Sequence, residues 1–199
     1  MEHICSRFLE ADRGKKFLMH IYPTEIPEVL VFQPQVHDDG RGYFMETFRA
    51  STFEERGIEH KFVQDNQSLS KRGTLRGLHY QLRFPQGKLV RVVSGSVFDV
   101  AVDLRRSSVT FGRWVGEILS AENKKQLWIP PGFAHGFLVL SSCAELSYKC
   151  TDYFHPGDDQ CLLWSDVSLA IEWPIADMAV VLSEKDQKGK LFSEAAIFE

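Results

Sequence analysis

The sequence lacks paired cysteines, a long apolar segment and an excess of basic residues, and each absence excludes a class of protein. Its cysteines form no CxxC pair and no regular framework, so we expect reduced thiols rather than disulfides. The first twenty residues are interrupted by charges, which predicts neither a signal peptide nor a transmembrane helix. The formal net charge of -4 provides no basic field for nucleic acid. We therefore expect a cytoplasmic protein with neither a nucleic-acid nor a membrane partner.

What the sequence does contain is a series of short β-runs. From Val29 to Leu163 these runs alternate with turn signals, a pattern typical of an all-β antiparallel barrel or sandwich. The clearest run, Val97 to Leu104, has one apolar face and one partly acidic face. A short helix is expected at Ala50 to Arg56, and short helices with loop are expected from Ile171 onward.

The chain is predicted to form one domain. Hydrophobic residues make up 44% of its 199 residues, which is enough to bury a core. Residues 1–20 show no sustained period, and no strand signal precedes Val29. We therefore expect an N-terminal extension at 1–20 and a single domain with a C-terminal tail at 21–199. Shortening the chain to begin at Met19 is expected to leave the fold unchanged.

Titratable side chains are unusually dense on two neighbouring runs. Leu75–Gln81 and Gln86–Arg91 together carry His79, Lys88 and two arginines on otherwise apolar strands. A histidine can act as general base near neutral pH, and a nearby ammonium can stabilise an oxyanion. A buried structural histidine and a strand-edge lysine would leave the same pattern. These residues alone leave the two interpretations equally open.

Two further segments give weaker signals. His135 follows a Pro-Pro-Gly turn and stands beside Gly136, where backbone can approach a ligand closely. Gln64 and Asn66 project from the same face of a strand and could together read the edge of a base. Prolines and aromatics are more often turn and core, and such amides most often bond water or backbone.

A metal site is not expected. Metal sites on barrels of this kind usually require a His-x-His pair and a carboxylate. Here Gln81 occupies the position of the second histidine, and the loop before Lys88 offers Gln86 rather than a glutamate. His79 and His135 remain as the plausible ligands, which are too few for a tight site. We therefore predict acid–base chemistry without a metal.

Seven motifs occur in a characteristic order along the chain: Asp39–Phe44, Phe62–Asn66, Leu75–His79, Gln86–Arg91, Trp128–Phe137, Tyr148-Lys149 and Leu182–Asp186. Together they resemble the dTDP-4-dehydrorhamnose 3,5-epimerase family over residues 21 to 190. The resemblance implies a jelly-roll cupin fold, no cofactor, and a homodimer that exchanges N-terminal strands. It also implies conversion of a dTDP-linked 4-keto-6-deoxy sugar for dTDP-rhamnose biosynthesis.

The resemblance also assigns catalytic roles. His79 matches the family's general base, Asp186 the carboxylate that orients it, and Tyr148 the general acid. Lys88 falls where the family holds the enolate oxygen. The chemistry requires such a set, because inversion of a carbon needs a base on one face and a separate acid on the other.

The substrate-binding positions carry over in the same way. His135 lies nearby in the family's pocket, and the positions that hold the deoxythymidine diphosphate, some of them donated across the dimer, are Arg41, Glu46, Gln64, Asn66, Arg76 and Lys185. The chain departs from the family at Phe154, where a second aromatic hydroxyl is common, and at Asp159, where a glutamate often contacts the nucleotide. Strict alternation would also place Arg76 and His79 on opposite strand faces, so a shared pocket requires a bulge at Gly77.

Two alternatives to a double epimerase remain. One is a related enzyme that inverts a single carbon or moves the keto group of a similar nucleotide sugar. The other is a cupin sugar-binding module without turnover. The presence of His79, Tyr148, Lys88 and Asp186 together argues against the module, because a binder needs neither a base nor an acid.

Overall fold

The short β-runs form two antiparallel sheets that face each other. The computed structural model describes residues 19–175 and 178–199. A six-stranded sheet has the order β1-β2-β10-β7-β12-β5, a five-stranded sheet has the order β13-β6-β11-β8-β9, and β3 and β4 form a separate hairpin. The strands are β1 Met19–Pro23, β2 Leu30–Pro34, β3 Val36–Asp39, β4 Gly42–Met45, β5 Gln64–Lys71, β6 Leu75–Gln81, β7 Lys88–Ser94, β8 Ser96–Asp103, β9 Trp114–Ser120, β10 Gln126–Ile129, β11 Phe133–Val139, β12 Cys143–Cys150 and β13 Asp159–Cys161. This arrangement confirms the predicted all-β jelly-roll.

Within residues 19–175 and 178–199, helices are few and short. An α-helix spans Ala50–Glu54, within the predicted range, and packs Phe53 against the outer face of the six-stranded sheet beside Phe32 and Trp128. A second α-helix, Glu184–Gln187, lies in the C-terminal tail, and 3-10 turns occur at Pro156–Asp158 and Phe192–Glu194. None of the helices in the described ranges is long and apolar enough to cross a membrane.

The main core lies between the two sheets. Alternation along each strand directs Val90 and Leu146 of one sheet toward Ala101 and Phe137 of the other in one cluster. A second cluster covers the outer face of the five-stranded sheet, where the C-terminal segment packs Trp173 and its neighbours. Both faces of β8 are therefore buried, so the face that carries Asp99 and Asp103 does not point to solvent.

The N-terminal boundary differs from the sequence expectation. Met19–Pro23 forms the edge strand β1, although no strand was expected before Val29. The segment is only five residues long, and its alternation of buried Met19, exposed His20 and buried Ile21 is too short to stand out as a period. Residues 1–18 of the predicted extension lie outside the described residues.

Candidate active site

Two adjoining cavities open between the sheets and share three side chains. The first has a volume of about 380 Å³ and the second about 300 Å³. His79, Lys88 and Tyr148 line both. The sequence predicted each of these residues as catalytic, and the fold brings them together from β6, β7 and β12.

Strand pairing explains why these groups converge. Tyr148 lies opposite Val90 on β7, and Cys150, two residues further on, lies opposite Lys88. His79 stands on the other sheet, directly opposite His135 of β11. The cavity therefore has a phenol and an ammonium on one wall and two imidazoles on the other.

Gly77 and Gly136 approach each other closely, and this contact lets Arg76 and His79 face the same cavity. Gly77 has φ of +117°, and a Cβ there would lie 2.5 Å from the Cα of Gly136. The register between β6 and β11 shifts at this point. As a result Arg76 and His79 line the same cavity, which confirms the irregularity expected at Gly77.

A buried carboxylate holds the His79 ring. Asp186 Oδ1 lies 2.6 Å from His79 Nε2 and accepts from the Gly77 amide at 3.3 Å, while Oδ2 accepts from the Ser183 hydroxyl at 2.7 Å. Burial alone would raise the pKa of Asp186, but the hydrogen bonds from His79 and Ser183 outweigh it and lower the pKa to about 2. An ionised carboxylate only accepts, so neutral His79 donates from Nε2 and presents Nδ1 as its basic atom.

A second histidine–aspartate pair lies behind the first and was not anticipated from the sequence. His135 Nε2 lies 2.9 and 3.0 Å from the two carboxylate oxygens of Asp99, which is completely buried. Asp99 lies on the face of β8 that the sequence marked as partly acidic. A carboxylate inside an apolar strand was the available signal.

Burial shifts the pKa of both Lys88 and Tyr148. Burial lowers the pKa of Lys88, and the acidic groups around it, Asp159 and Asp99 among them, act in the opposite direction. Within the described ranges no carboxylate lies within ion-pair distance of Lys88. Burial raises the pKa of Tyr148, so its phenol keeps its proton at neutral pH.

The second cavity contains the amides predicted to read a base. Gln64 donates from Nε2 to Asn66 Oδ1 at 3.0 Å and accepts from the Phe154 amide at 2.9 Å. Lys185 forms an ion pair with Asp159 across the same cavity. The side chains that line this wall could therefore hold a planar base and an anionic group.

Two predicted binding residues lie elsewhere. Arg41 lies in the turn of the hairpin β3–β4 and Glu46 follows β4, and neither lines either cavity of the described chain. Arg41 pairs with Asp39 and is 91% exposed, whereas Glu46 pairs with Arg49. A single subunit therefore does not bring them to the site.

Among the described residues, His79 belongs to a group of three potential metal ligands. His79, Cys161 and Asp186 each offer a ligand atom, and these atoms lie within 4.8 Å of one another. Sequence reasoning found His135 as the second ligand and missed Cys161, because the β13–β6 pairing that brings it to His79 leaves no local pattern. Burial, with the charge of Asp186, raises the pKa of the Cys161 thiol to about 12.

Comparison with known proteins identifies the relatives of this chain. The family model described as dTDP-4-dehydrorhamnose 3,5-epimerase matches residues 23–194. The chain is 59% identical over 174 residues to the Pseudomonas aeruginosa protein of that name, covering 87% of this chain and 96% of that protein.

Solved structures agree with this result. A Legionella pneumophila epimerase in complex with dTDP-4-keto-L-rhamnose is 53% identical, with a TM-score of 0.87 over 89% of this chain and 95% of that one. ChmJ, a 3'-monoepimerase from Streptomyces bikiniensis, is 33% identical, with a TM-score of 0.80 over 86% and 87% of the two chains. The fold is thus shared by double and single epimerases.

Proposed function

The chain belongs to the dTDP-4-dehydrorhamnose 3,5-epimerase family and is an isomerase, and on that basis we propose how its own residues perform the reaction. The substrate is dTDP-4-dehydro-6-deoxy-D-glucose and the product is dTDP-4-dehydro-L-rhamnose. Each inversion removes a proton from one face of a carbon beside the keto group and returns one to the opposite face. The observation that carries the proposal is that His79 and Tyr148 face one cavity from opposite sheets.

His79 is the general base. Its Nδ1 accepts the proton from the carbon, and the buried charge of Asp186 stabilises the imidazolium that forms. The carboxylate is itself held by Gly77 and Ser183, so the ring has a fixed tautomer and orientation before substrate binds.

Lys88 and Tyr148 complete each inversion. Proton removal puts negative charge on the C4 oxygen, and the buried ammonium of Lys88 stabilises that enolate better than water does. Tyr148 then donates its phenolic proton from the opposite wall. His135, held by Asp99, supports the sugar on the same wall as the base.

The second cavity holds the nucleotide. Gln64 and Asn66 offer paired amide groups for the base, while Lys185 beside them and Arg76 in the adjoining first cavity supply positive charge for the diphosphate. Asp159 already pairs with Lys185, so it sets the position of that ammonium before the nucleotide binds. Phe154 lines the same wall and offers an apolar face without a hydroxyl.

A homodimer with exchanged N-terminal strands supplies the remaining residues. The hairpin β3–β4 carries Phe44 and Tyr43, which are 71% and 54% exposed, and an isolated hairpin is marginally stable in water. Placed against a second copy, the hairpin would bury these rings and bring Arg41 and Glu46 to that copy's nucleotide site.

Mixing two inactive variants tests this exchange. Arg41→Ala and His79→Asn subunits, unfolded and refolded together, form mixed dimers in which one site has both intact residues. Because about half of the dimers are mixed and each has one intact site, about a quarter of wild-type activity should return. If Arg41 serves its own barrel, mixing restores nothing. Light scattering on each variant checks that it remains dimeric.

The reaction itself is tested in deuterated water. The protein is incubated with dTDP-4-keto-6-deoxyglucose, and deuterium is located by NMR. We expect deuterium at both C3 and C5 of a product with inverted configuration at both carbons. Deuterium at only one carbon would instead support the single-epimerase alternative. ChmJ, a 3'-monoepimerase, is an example of such an enzyme with a similar fold. No incorporation would support a sugar-binding module.

We also propose that the enzyme acts in the cytoplasm. Cys143, Cys150 and Cys161 are all unpaired, and Cys143 is exposed, which suits a reducing compartment. Cell fractionation with antibody detection should find the protein with cytoplasmic markers, and its recovery from an oxidising compartment would contradict the assignment.

A further inference from the structure

An imidazole, a thiol and a carboxylate meet at His79, the proposed general base. His79 and Cys161 are direct partners in the β6–β13 pairing, so their side chains project from the same face of the sheet. Asp186 approaches from the helix Glu184–Gln187, with Oδ1 2.6 Å from His79 Nε2 and 3.9 Å from Cys161 Sγ. The three groups therefore sit on two paired strands and a capped helix, and their positions do not depend on a mobile loop.

We propose that this cluster binds a zinc-like divalent cation through His79 Nε2, Cys161 Sγ and Asp186 Oδ1, and that the bound cation inhibits the enzyme. Imidazole, thiolate and carboxylate together form a ligand set that zinc prefers. Tetrahedral zinc places such atoms about 3.3 to 3.6 Å apart. The atoms here lie within 4.8 Å of one another, so small side-chain rotations complete the set.

The fourth coordination position faces the cavity. His79 is about 30% exposed there, whereas Asp186 is buried and fixed by Ser183 and Gly77. Three protein ligands with one open position leave room for water or a substrate oxygen. The cation thus enters from the side that the sugar uses, and substrate should compete with it.

Proton balance explains the inhibition. Binding displaces the thiol proton of Cys161 to solvent and moves the imidazole proton of His79 from Nε2 to Nδ1. Nδ1 is the atom that accepts the substrate proton in the proposed mechanism. With that atom already protonated, proton removal from the sugar stops, although the nucleotide can still bind through Gln64 and Asn66.

The inhibition rests on the proposed role of His79, so the experiment measures binding and activity separately. Binding is followed with Co²⁺, which gives a thiolate-to-cobalt charge-transfer absorption when cysteine is a ligand. Activity is measured in metal-free buffer with increasing Zn²⁺. Cys161→Ser removes one ligand and touches no substrate, and Cys143→Ser removes an exposed thiol at the far end of β12 as the matched control.

We expect Zn²⁺ to inhibit the wild type and Cys143→Ser alike, with recovery on addition of EDTA. Cys161→Ser should keep its activity without metal, require at least about tenfold more Zn²⁺ for the same inhibition, and lose the cobalt absorption. Equal inhibition of all three proteins, or no charge-transfer band in the wild type, would overturn the site. A band without inhibition would confirm the metal site and refute His79 as the base.

Discussion

Two histidines stand opposite each other on neighbouring strands, and each is paired with a buried aspartate, yet the two pairs differ in access. The His79 side chain is 30% exposed, and its carboxylate comes from a helix outside the sheet. The His135 side chain is 8% exposed, and its carboxylate comes from the adjacent strand of the same sheet. The first pair can exchange a proton with a ligand in the cavity. The second is suited to hold a ring in place.

The two pairs therefore differ in solvent access and in the origin of the aspartate, and we propose that the first pair transfers protons whereas the second holds the sugar. Hydrogen bonds from His79 and Ser183, with a weaker contribution from the Gly77 amide, keep Asp186 ionised while His79 faces the cavity. Both carboxylate oxygens of Asp99 lie within hydrogen-bond distance of His135 Nε2, and Asp99 is completely buried.

The largest effect is expected for His79→Asn. Asparagine keeps a polar side chain of similar reach but cannot accept a proton from carbon, so kcat should fall by about three orders of magnitude or more. Binding of dTDP, measured by calorimetry, should change by less than a few fold because the proposed nucleotide contacts come from Gln64, Asn66 and Lys185 rather than from His79. Near-normal deuterium exchange at C3 and C5 in this variant would contradict the assignment.

A matched pair of substitutions, Asp186→Asn and Asp99→Asn, separates the two roles. Asp186→Asn removes the charge that orients His79, and kcat should fall by about a hundredfold or more. Asp99→Asn places an amide nitrogen against the His135 donor, which should lower the free energy of unfolding by about 1–3 kcal/mol with a smaller loss of kcat. Urea denaturation and steady-state kinetics on both variants check this. A larger loss of kcat in Asp99→Asn would reverse the comparison.

The site was only partly predictable from sequence. His79, Lys88 and Tyr148 came from motifs, and Gly77 pointed to the irregularity that the shifted register shows. Cys161 was missed because its proximity to His79 arises from strand pairing between distant segments, for which a single sequence has no local signal.

The fold shows the same limit. The class followed from short runs and turns, but β1 was missed because five residues give too little alternation. Arg41 and Glu46 are apart from the cavities of their own chain. Their proposed place depends on a second subunit, which no pattern within one chain can position.

Asp103 is a third buried aspartate, and it pairs with Arg105 instead of with a histidine. Burial of Asp103 would raise its pKa, but Arg105, Ser108 and Thr110 donate to it and lower the pKa from 3.8 to about 2. Because the folded pKa is the lower one, Asp103 stabilises the protein above about pH 4, by about 2 kcal/mol, and this contribution is lost as pH falls towards 2. Asp103→Asn should lower stability at neutral pH and flatten its pH dependence between these values. An unchanged acid profile would contradict the account.

The smallest effect is expected from shortening the chain. A protein that begins at Met19 keeps β1 and both histidine–aspartate pairs, so kcat and the melting temperature should remain close to those of the full chain. Thermal denaturation and light scattering on the two forms provide the measurement. A marked loss of stability or of dimer would show that residues 1–18 pack on the barrel.

The most direct test of the central claim, that base and acid act from opposite walls, is deuterium exchange in Tyr148→Phe. Without the phenol, His79 should still remove the proton, and the enolate held by Lys88 should be reprotonated from the original face. We predict that deuterium enters C3 or C5 with retained configuration faster than the inverted product forms, whereas in the wild type the two processes keep pace. Equal and undiminished rates of exchange and inversion in the variant would contradict the account and assign the acid to another group or to water.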